Sequence, residues 1–315
     1  MGKKKLTLVV PCKNEEAVLP IFYKRICEVE GKYLYRMVDV DVLFIDDGSS
    51  DGTLSIMKDL AGGDGRIHYI SFSRNFGKEA AIYAGLAHAA GDYVAIMDAD
   101  LQDPPELLPE MLSAITKGEA DLVGTRRVSR RGEPVIRSFF ARGFYRLMNR
   151  ISETEVVDGA RDYQVMSKKV VDAILSMGEY NRFSKGITGW VGYKKKWIEY
   201  ENVERAAGET SWSFWQLVIY AMEGITAFST VPLVISSVIG LIFCVLAFLA
   251  IIFIIVRTLI FGDPTSGWPS MVCIIMLVSG VQLLGIGILG QYLAKTYLET
   301  KNRPKYLIDE TNIRK

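Results

Sequence analysis

Three carboxylates and an amide stand together in Asp98-Ala99-Asp100-Leu101-Gln102-Asp103. Two carboxylates one residue apart repel each other unless a cation lies between them. A hard divalent ion with oxygen ligands, Mg²⁺ or Mn²⁺, suits Asp98 and Asp100, and the usual partner of such an ion is a substrate phosphate. A solvated acidic turn has the same composition, so the surroundings of the cluster decide between the two. Ahead of it runs Asp92-Tyr93-Val94-Ala95-Ile96-Met97, which reads as a short buried strand. Behind it, Asp103 reads as an N-cap, with Pro104 at the first helical position and Glu106 three residues after the cap. The cluster is thus expected where a strand gives way to a helix, the place at which open α/β sheets bind ligands.

The elements needed to hold such a cluster are legible on both sides of it. Leu6 to Val10 reads as a first strand closed by Pro11, and Asn14 opens a helix to about Glu30. Asp39 to Ile45 is a second strand ending in Asp46-Asp47-Gly48-Ser49-Ser50-Asp51-Gly52-Thr53, turn chemistry followed by a helix start. Ile67 to Phe72 is a third strand, followed by an alanine-rich helix to Ala90. A helix from Pro104 to Lys117 precedes a strand from Ala120 to Gly124. Strands alternating with helices predict a mostly parallel sheet with helices on both faces. Neither a Gly-x-Gly-x-x-Gly turn nor a Gly-x-x-x-x-Gly-Lys-Ser/Thr loop occurs, so a phosphate here needs a holder other than a glycine loop. Further on, a helix near Arg182–Trp190 and a strand at Lys195–Tyr200 are expected.

The formal net charge of +1 gives no global field directed at nucleic acid. The charge is nevertheless uneven: eight arginines lie between Arg126 and Arg150 against one acidic residue, Glu133. Within that stretch Ile136 to Ile151 has helical spacing, with Arg142, Arg146 and Arg150 on one face, a pattern that suits a docking helix or a membrane-surface helix. Cys12, Cys27, Cys244 and Cys273 have no metal-like spacing and read as ordinary buried thiols.

Residues 211–229 are apolar and aromatic and read as an interfacial helix. Val231 to Val256 and Met271 to Leu293 contain no charge, and each is long enough to cross a bilayer. The link between them is short, so the two form a hairpin within residues 230–294. The tail, residues 295–315, carries Lys295, Lys301, Arg303, Lys305, Arg314 and Lys315. Positive residues stay in the cytoplasm, which puts both termini and the domain of residues 1–210 there.

Pro11-Cys12-Lys13-Asn14-Glu15, the Asp46 to Thr53 segment and the Asp98 to Asp103 segment stand in the order and spacing of glycosyltransferase family 2, which the chain resembles. Tyr145-Arg146-Leu147-Met148-Asn149-Arg150 and Arg161-Asp162-Tyr163-Gln164-Val165-Met166 narrow the resemblance to the polyprenyl-phosphate hexosyltransferases, and the trailing hairpin to their bactoprenol-type members. The resemblance implies a GT-A nucleotide-sugar-binding fold and inverting transfer of one hexose from a nucleotide diphosphate sugar to undecaprenyl phosphate. UDP-glucose and UDP-N-acetylglucosamine lead as donors. The reaction would lie at the inner face of the cytoplasmic membrane and supply a lipid-linked sugar for cell-envelope glycan modification. It implies Asp98, Asp100 and Asp162 as catalytic residues, with Asp100, Asp98 and Gln102 toward the metal. Pro11, Asn14, Glu15, Asp46 and Asp98 would line the nucleotide sugar, and Arg126 and Arg137 would take the acceptor phosphate. The chain departs from the resembled Gly-Asp-Phe-Arg pattern at Arg161-Asp162-Tyr163-Gln164, keeping the aspartate and losing the arginine two places on. The Gln-x-x-Arg-Trp motif of processive members is missing, so a single transfer is expected. A tethered transferase with a non-lipid acceptor and a non-catalytic anchored binding protein are the other classes the sequence permits. Oligomeric state is not encoded legibly, although Gly285-Ile286-Gly287-Ile288-Leu289-Gly290 permits close helix packing.

Overall fold

The computed structural model describes residues 3–127, 157, 159–201, 229–261 and 267–313. Two compact units result, residues 1–217 with 303–315, and residues 218–302.

In the first unit the chain runs β1 (Lys5–Cys12), α1 (Leu19–Val29), β2 (Asp39–Asp46), α2 (Thr53–Gly63), β3 (Ile67–Phe72), α3 (Lys78–His88), β4 (Tyr93–Ile96) and α4 (Leu108–Thr116). It continues through β5 (Leu122–Arg127), β6 (Ala160–Ser167), α5 (Lys168–Ser176), α6 (Ser184–Trp190) and β7 (Lys195–Tyr200). The second unit holds α7 (Val231–Phe261) and α8 (Trp268–Thr300), after which β8 (Ile308–Thr311) returns to the first. The eight strands form one sheet in the order β7-β5-β6-β4-β1-β2-β3-β8. β1 lies parallel to β2 and β4, as do β2 to β3 and β5 to β7. β6 runs antiparallel between β4 and β5, and β8 antiparallel to β3.

The central strands are predominantly apolar and buried, the pattern of a parallel sheet covered on both faces. Leu6, Leu8 and Val10 of β1 face a core shared with Leu19, Phe22 and Ile26 of α1 and Leu108, Met111 and Leu112 of α4. On the other face α3 approaches β1 so closely that a Cβ on Gly85 would lie 2.1 Å from Cγ1 of Val9. Only glycine permits that approach, which seats α3 on β1.

Several boundaries differ from those expected. β1 runs on through Pro11 to Cys12; the missing proline N–H falls beyond the last β1–β4 pair, Val9 with Ile96. Asn14 does not open a helix but takes a left-handed backbone, φ 56°, which asparagine tolerates, and α1 begins only at Leu19. β5 extends to Arg127, because parallel pairing with β7 continues to Arg127–Tyr200. Asp103 caps no helix. Pro104 is extended, a 3₁₀ turn begins at Pro105, and the Asp103 carboxylate is buried against other strands. Glu106 pairs with Arg25 instead of closing a capping box.

Residues 295–313 of the basic tail contribute to both a helix and a strand. α8 continues to Thr300, and β8 covers the edge that β3 would otherwise expose. Asn312 seals the junction by accepting from the Tyr69 N–H and donating to the Ile67 carbonyl, and Tyr306 stacks on Phe72 with ring centroids 5.1 Å apart. α7 and α8 are both long and apolar enough to cross a membrane. They pack together, and at Gly285 the approach is close, a Cβ there reaching to 2.9 Å of the Ser236 hydroxyl. The expected interfacial helix of residues 211–229 and the Tyr145 to Arg150 motif lie outside the described residues, apart from Ser229.

Candidate active site

β1, β2 and β4 end side by side, and each hands a polar segment to the same end of the sheet. After β1, the Asn14 N–H donates to the Ser49 hydroxyl at 2.9 Å, and its side-chain oxygen accepts from the Ser50 N–H at 2.8 Å. The Glu15 N–H donates to the Thr53 hydroxyl at 2.8 Å, and Glu16 accepts from the Gly52 N–H at 2.7 Å. The Pro11 to Glu15 and Asp46 to Thr53 segments are therefore one cross-linked wall. Gly48, at φ 65°, makes the second crossing possible: a Cβ there would meet the Arg74 carbonyl carbon at 2.6 Å.

Asp46 is nearly inaccessible, and both its oxygens are used within the chain, by the Ser49 N–H at 3.0 Å and the Ser71 hydroxyl at 2.8 Å. It organises the wall from behind rather than presenting its carboxylate. Asp47 accepts from the Phe76 and Gly77 N–H groups at 2.7 and 3.0 Å. Burial raises its pKa, and those two donors offset part of the rise. Sequence reasoning placed both aspartates in a turn; which loop each would hold is set by the strand order.

The acidic loop follows β4. The β4–β6 register pairs Ile96 with Gln164 in antiparallel sense, so extending it by two residues sets position 98 against position 162. This brings together carboxylates 64 residues apart in sequence. Between them stands Lys78, from the first turn of α3. Its ammonium lies 2.7 Å from Asp98 and 2.5 Å from Asp162, and Lys185 of α6 lies 3.9 Å from Asp162. Burial opposes the charge on Lys78, yet Asp98 and Asp162 outweigh it and raise its pKa. Burial likewise opposes the charge on Asp162, and Lys78, then Lys185, hold its carboxyl well below the ordinary carboxylate range.

Lys78 and Lys185 are the site residues that the sequence reading missed. The one signal for Lys78 was its place just after Phe76-Gly77, at a helix start next to a strand end. Glu79, beside it, accepts from the Ser184 N–H at 3.0 Å and so ties α3 to the first turn of α6, which carries Lys185. Burial raises the Glu79 pKa, against the Ser184 hydrogen bonds.

Asp100 accepts from the Gln102 N–H at 3.1 Å, and Leu101 between them has φ 56°. Among the described residues no group of three or more His, Cys, Asp or Glu side chains is arranged to hold a metal. The donors at hand are two carboxylates and one amide oxygen, the hard oxygen set that Mg²⁺ or Mn²⁺ takes when phosphate oxygens complete its shell. Gln164, at the place where the resembled pattern has arginine, is buried and donates weakly to the Arg161 carbonyl at 3.4 Å.

Arg126, on β5, faces Ala160 of β6 and Glu199 of β7 in register. Its Nη1 lies 3.7 Å from Glu199, and its buried Nε has no hydrogen-bond acceptor among the described residues. Arg137 lies outside the described residues, as do Arg130, Arg131, Arg142 and Arg146. Cys12 is buried with its thiol toward the Val10 carbonyl, and Cys27 is half-buried.

Comparison with known proteins gives the family of the chain. The pattern described as "Glycosyl transferase family 2" matches residues 7–175. The chain belongs to that family. The transferase is 44% identical over 304 residues, 96% of its length, to the "Prophage bactoprenol glucosyl transferase homolog" of Escherichia coli, covering 98% of that protein. It is 43% identical over 308 residues to the "Bactoprenol glucosyl transferase" of Shigella phage SfII, covering 98% of each chain. It is 39% identical to the "Putative glycosyltransferase CsbB" of Bacillus subtilis, covering 98% of this chain and 92% of the other. Among solved structures it is similar to mannosyl-3-phosphoglycerate synthase from Rubrobacter xylanophilus, with 17% identity, a TM-score of 0.49, and coverage of 71% of this chain and 72% of that one. The first unit is a GT-A-like α/β fold with a mostly parallel central sheet.

Proposed function

We propose that the transferase moves one hexose, with inversion, from a nucleotide diphosphate sugar to undecaprenyl phosphate. UDP-glucose is the leading donor and UDP-N-acetylglucosamine the alternative. The observation that carries this reading is the meeting of Asp98 and Asp162 on one ammonium, in a chain that aligns almost end to end with relatives named bactoprenol glucosyl transferase.

The chain's own residues divide the work as follows. The cross-linked wall of Pro11, Asn14 and Glu15 on the Asp46 loop receives the nucleotide, with Asp46 holding that wall in place. Asp98 and Asp100, with Gln102, would hold Mg²⁺ or Mn²⁺. When bound, that ion neutralises charge developing on the leaving diphosphate. The acceptor phosphate is already largely ionised near neutral pH, so Asp162 is placed to orient the attacking oxygen or the sugar and need not remove a proton. Arg126, whose Nε–H is buried with no described acceptor, supplies a charge-assisted donor for the acceptor phosphate, and Arg137 the second. Attack opposite the leaving group turns an α-linked donor into a β-linked product.

The helices α7 and α8 form the membrane hairpin. The pairing of β8 with β3 supports a catalytic sheet and a C-terminal strand on one side of the membrane, with an even number of crossings between them. The basic residues after α8 favour the cytoplasm for that side. The product would serve as a lipid-linked sugar donor for cell-envelope glycan modification.

The test offers full-length purified protein a panel of nucleotide sugars with undecaprenyl phosphate, undecaprenol and no lipid. Consumption of one UDP-hexose only with the phosphorylated lipid, giving a β-linked product, is expected. Transfer to the unphosphorylated alcohol, or hydrolysis alone, would overturn the acceptor assignment.

A further inference from the structure

Asp103 ends the acidic loop and lies at 1% exposure. A buried carboxylate needs compensation, and here it comes from two other strands. The Arg161 Nε–H, on β6, donates to Asp103 Oδ1 at 3.0 Å, and the Tyr200 hydroxyl, at the end of β7, donates to the same oxygen. The second Asp103 oxygen is buried with no described donor, so these two contacts carry the anchorage. The Arg161 guanidinium also reaches back one residue, its Nη2 lying 3.2 Å from the Gln102 side-chain oxygen. One planar fork therefore holds two consecutive residues of the loop, next to a leucine kept in the left-handed region. Arg161 adjoins Asp162, and Tyr200 pairs with Arg127, the neighbour of Arg126.

We propose that Arg161 and Tyr200 are positioning residues that set the donor-binding loop through Asp103, with Arg161 also aiming the Gln102 amide. The proposal rests on the reading that this loop receives the nucleotide diphosphate with a divalent ion. Burying an ion pair contributes little net stability compared with an apolar replacement, whereas a fork on two adjacent loop residues fixes where Gln102 and Asp100 stand. The same strand that offers Asp162 thus fixes the loop that offers Asp98 and Asp100, and donor and acceptor groups keep a constant spacing.

The experiment measures binding of UDP with Mn²⁺ by calorimetry, and thermal unfolding separately, on the full-length protein in detergent. Arg161→Met is expected to weaken binding roughly ten- to a hundredfold, the loss typical of a hydrogen bond to a charged group. Arg161→Lys should recover part of it, since lysine keeps the charge and loses the fork. Tyr200→Phe, which keeps the ring and guards against a misfolded Arg161→Met, should weaken binding about three- to tenfold with little change in unfolding. In an Asp103→Asn background both substitutions should have much smaller effects, because residues acting through one partner are not additive. Wild-type affinity in Arg161→Met and Tyr200→Phe, or losses that track unfolding alone with lysine no better than methionine, would overturn the positioning role while leaving the donor reading intact. A wild-type protein that binds neither UDP nor any other nucleoside diphosphate with Mn²⁺ would overturn the donor reading and this proposal with it.

Discussion

Lys78 holds the carboxylate that the proposed divalent ion would also use, and this makes its removal informative in two opposite directions. Its ammonium sits 2.7 Å from Asp98 and 2.5 Å from Asp162, so Lys78→Met leaves two carboxylates facing one another, with Lys185 3.9 Å from Asp162 and the Arg161 guanidinium acting on both. A unit charge pair 4 Å apart is worth about 4 kcal/mol at an effective dielectric of about 20. The Lys78 side chain is 43% exposed, so solvent screening reduces that to roughly 1–2 kcal/mol. A cation that occupies Asp98 competes with a metal for it. Mn²⁺ binding without nucleotide should therefore tighten about tenfold in Lys78→Met, the equivalent of about 1.4 kcal/mol. Transfer should fall, by roughly ten- to a hundredfold in kcat/KM, because Asp162 loses its nearest positive partner. Titration of Mn²⁺ followed by electron paramagnetic resonance, together with steady-state transfer, measures both. Unchanged Mn²⁺ affinity in the variant would refute the competition, and unchanged transfer would refute the role given to the Asp98–Lys78–Asp162 bridge.

Three further outcomes are expected. Asp100→Asn should abolish most transfer while leaving thermal unfolding unchanged, and EDTA should do the same to the wild type until Mg²⁺ or Mn²⁺ is restored; full turnover in chelator would remove the metal from the site. Arg126→Ala and Arg137→Ala should each raise the KM for lipid phosphate by roughly ten- to a hundredfold with little effect on nucleotide binding, as expected for loss of a charge-assisted phosphate contact; equal losses for both substrates would argue against an acceptor role. In a variant without native cysteines, a cysteine at position 266 should react with an impermeant reagent on intact cells, whereas labelling only after lysis would reverse the membrane orientation.

The alternation of strands and helices is legible along the chain, because buried parallel strands are predominantly apolar and their turns carry Asp, Gly, Asn and Ser. β3 and β7 match the expected residues, and the acidic loop stands after β4 as its pattern required. The uncharged runs that became α7 and α8 were equally plain, since length and lack of charge are properties of composition alone. What the sequence could not decide were the pairings between distant segments. Asp103 has the local grammar of a helix cap, yet burial against β6 and β7 gave its carboxylate to Arg161 and Tyr200. The basic tail shows no strand pattern of its own in the sequence reading, yet Ile308–Thr311 pairs with the edge of β3. Lys78 has no motif of its own. It enters the site because α3 packs on β1, where Gly85 meets Val9, and because the antiparallel β4–β6 register sets Asp162 against Asp98. Local propensity is written along the chain, whereas register and strand order come from packing the whole sheet, and those decided which charges share the site.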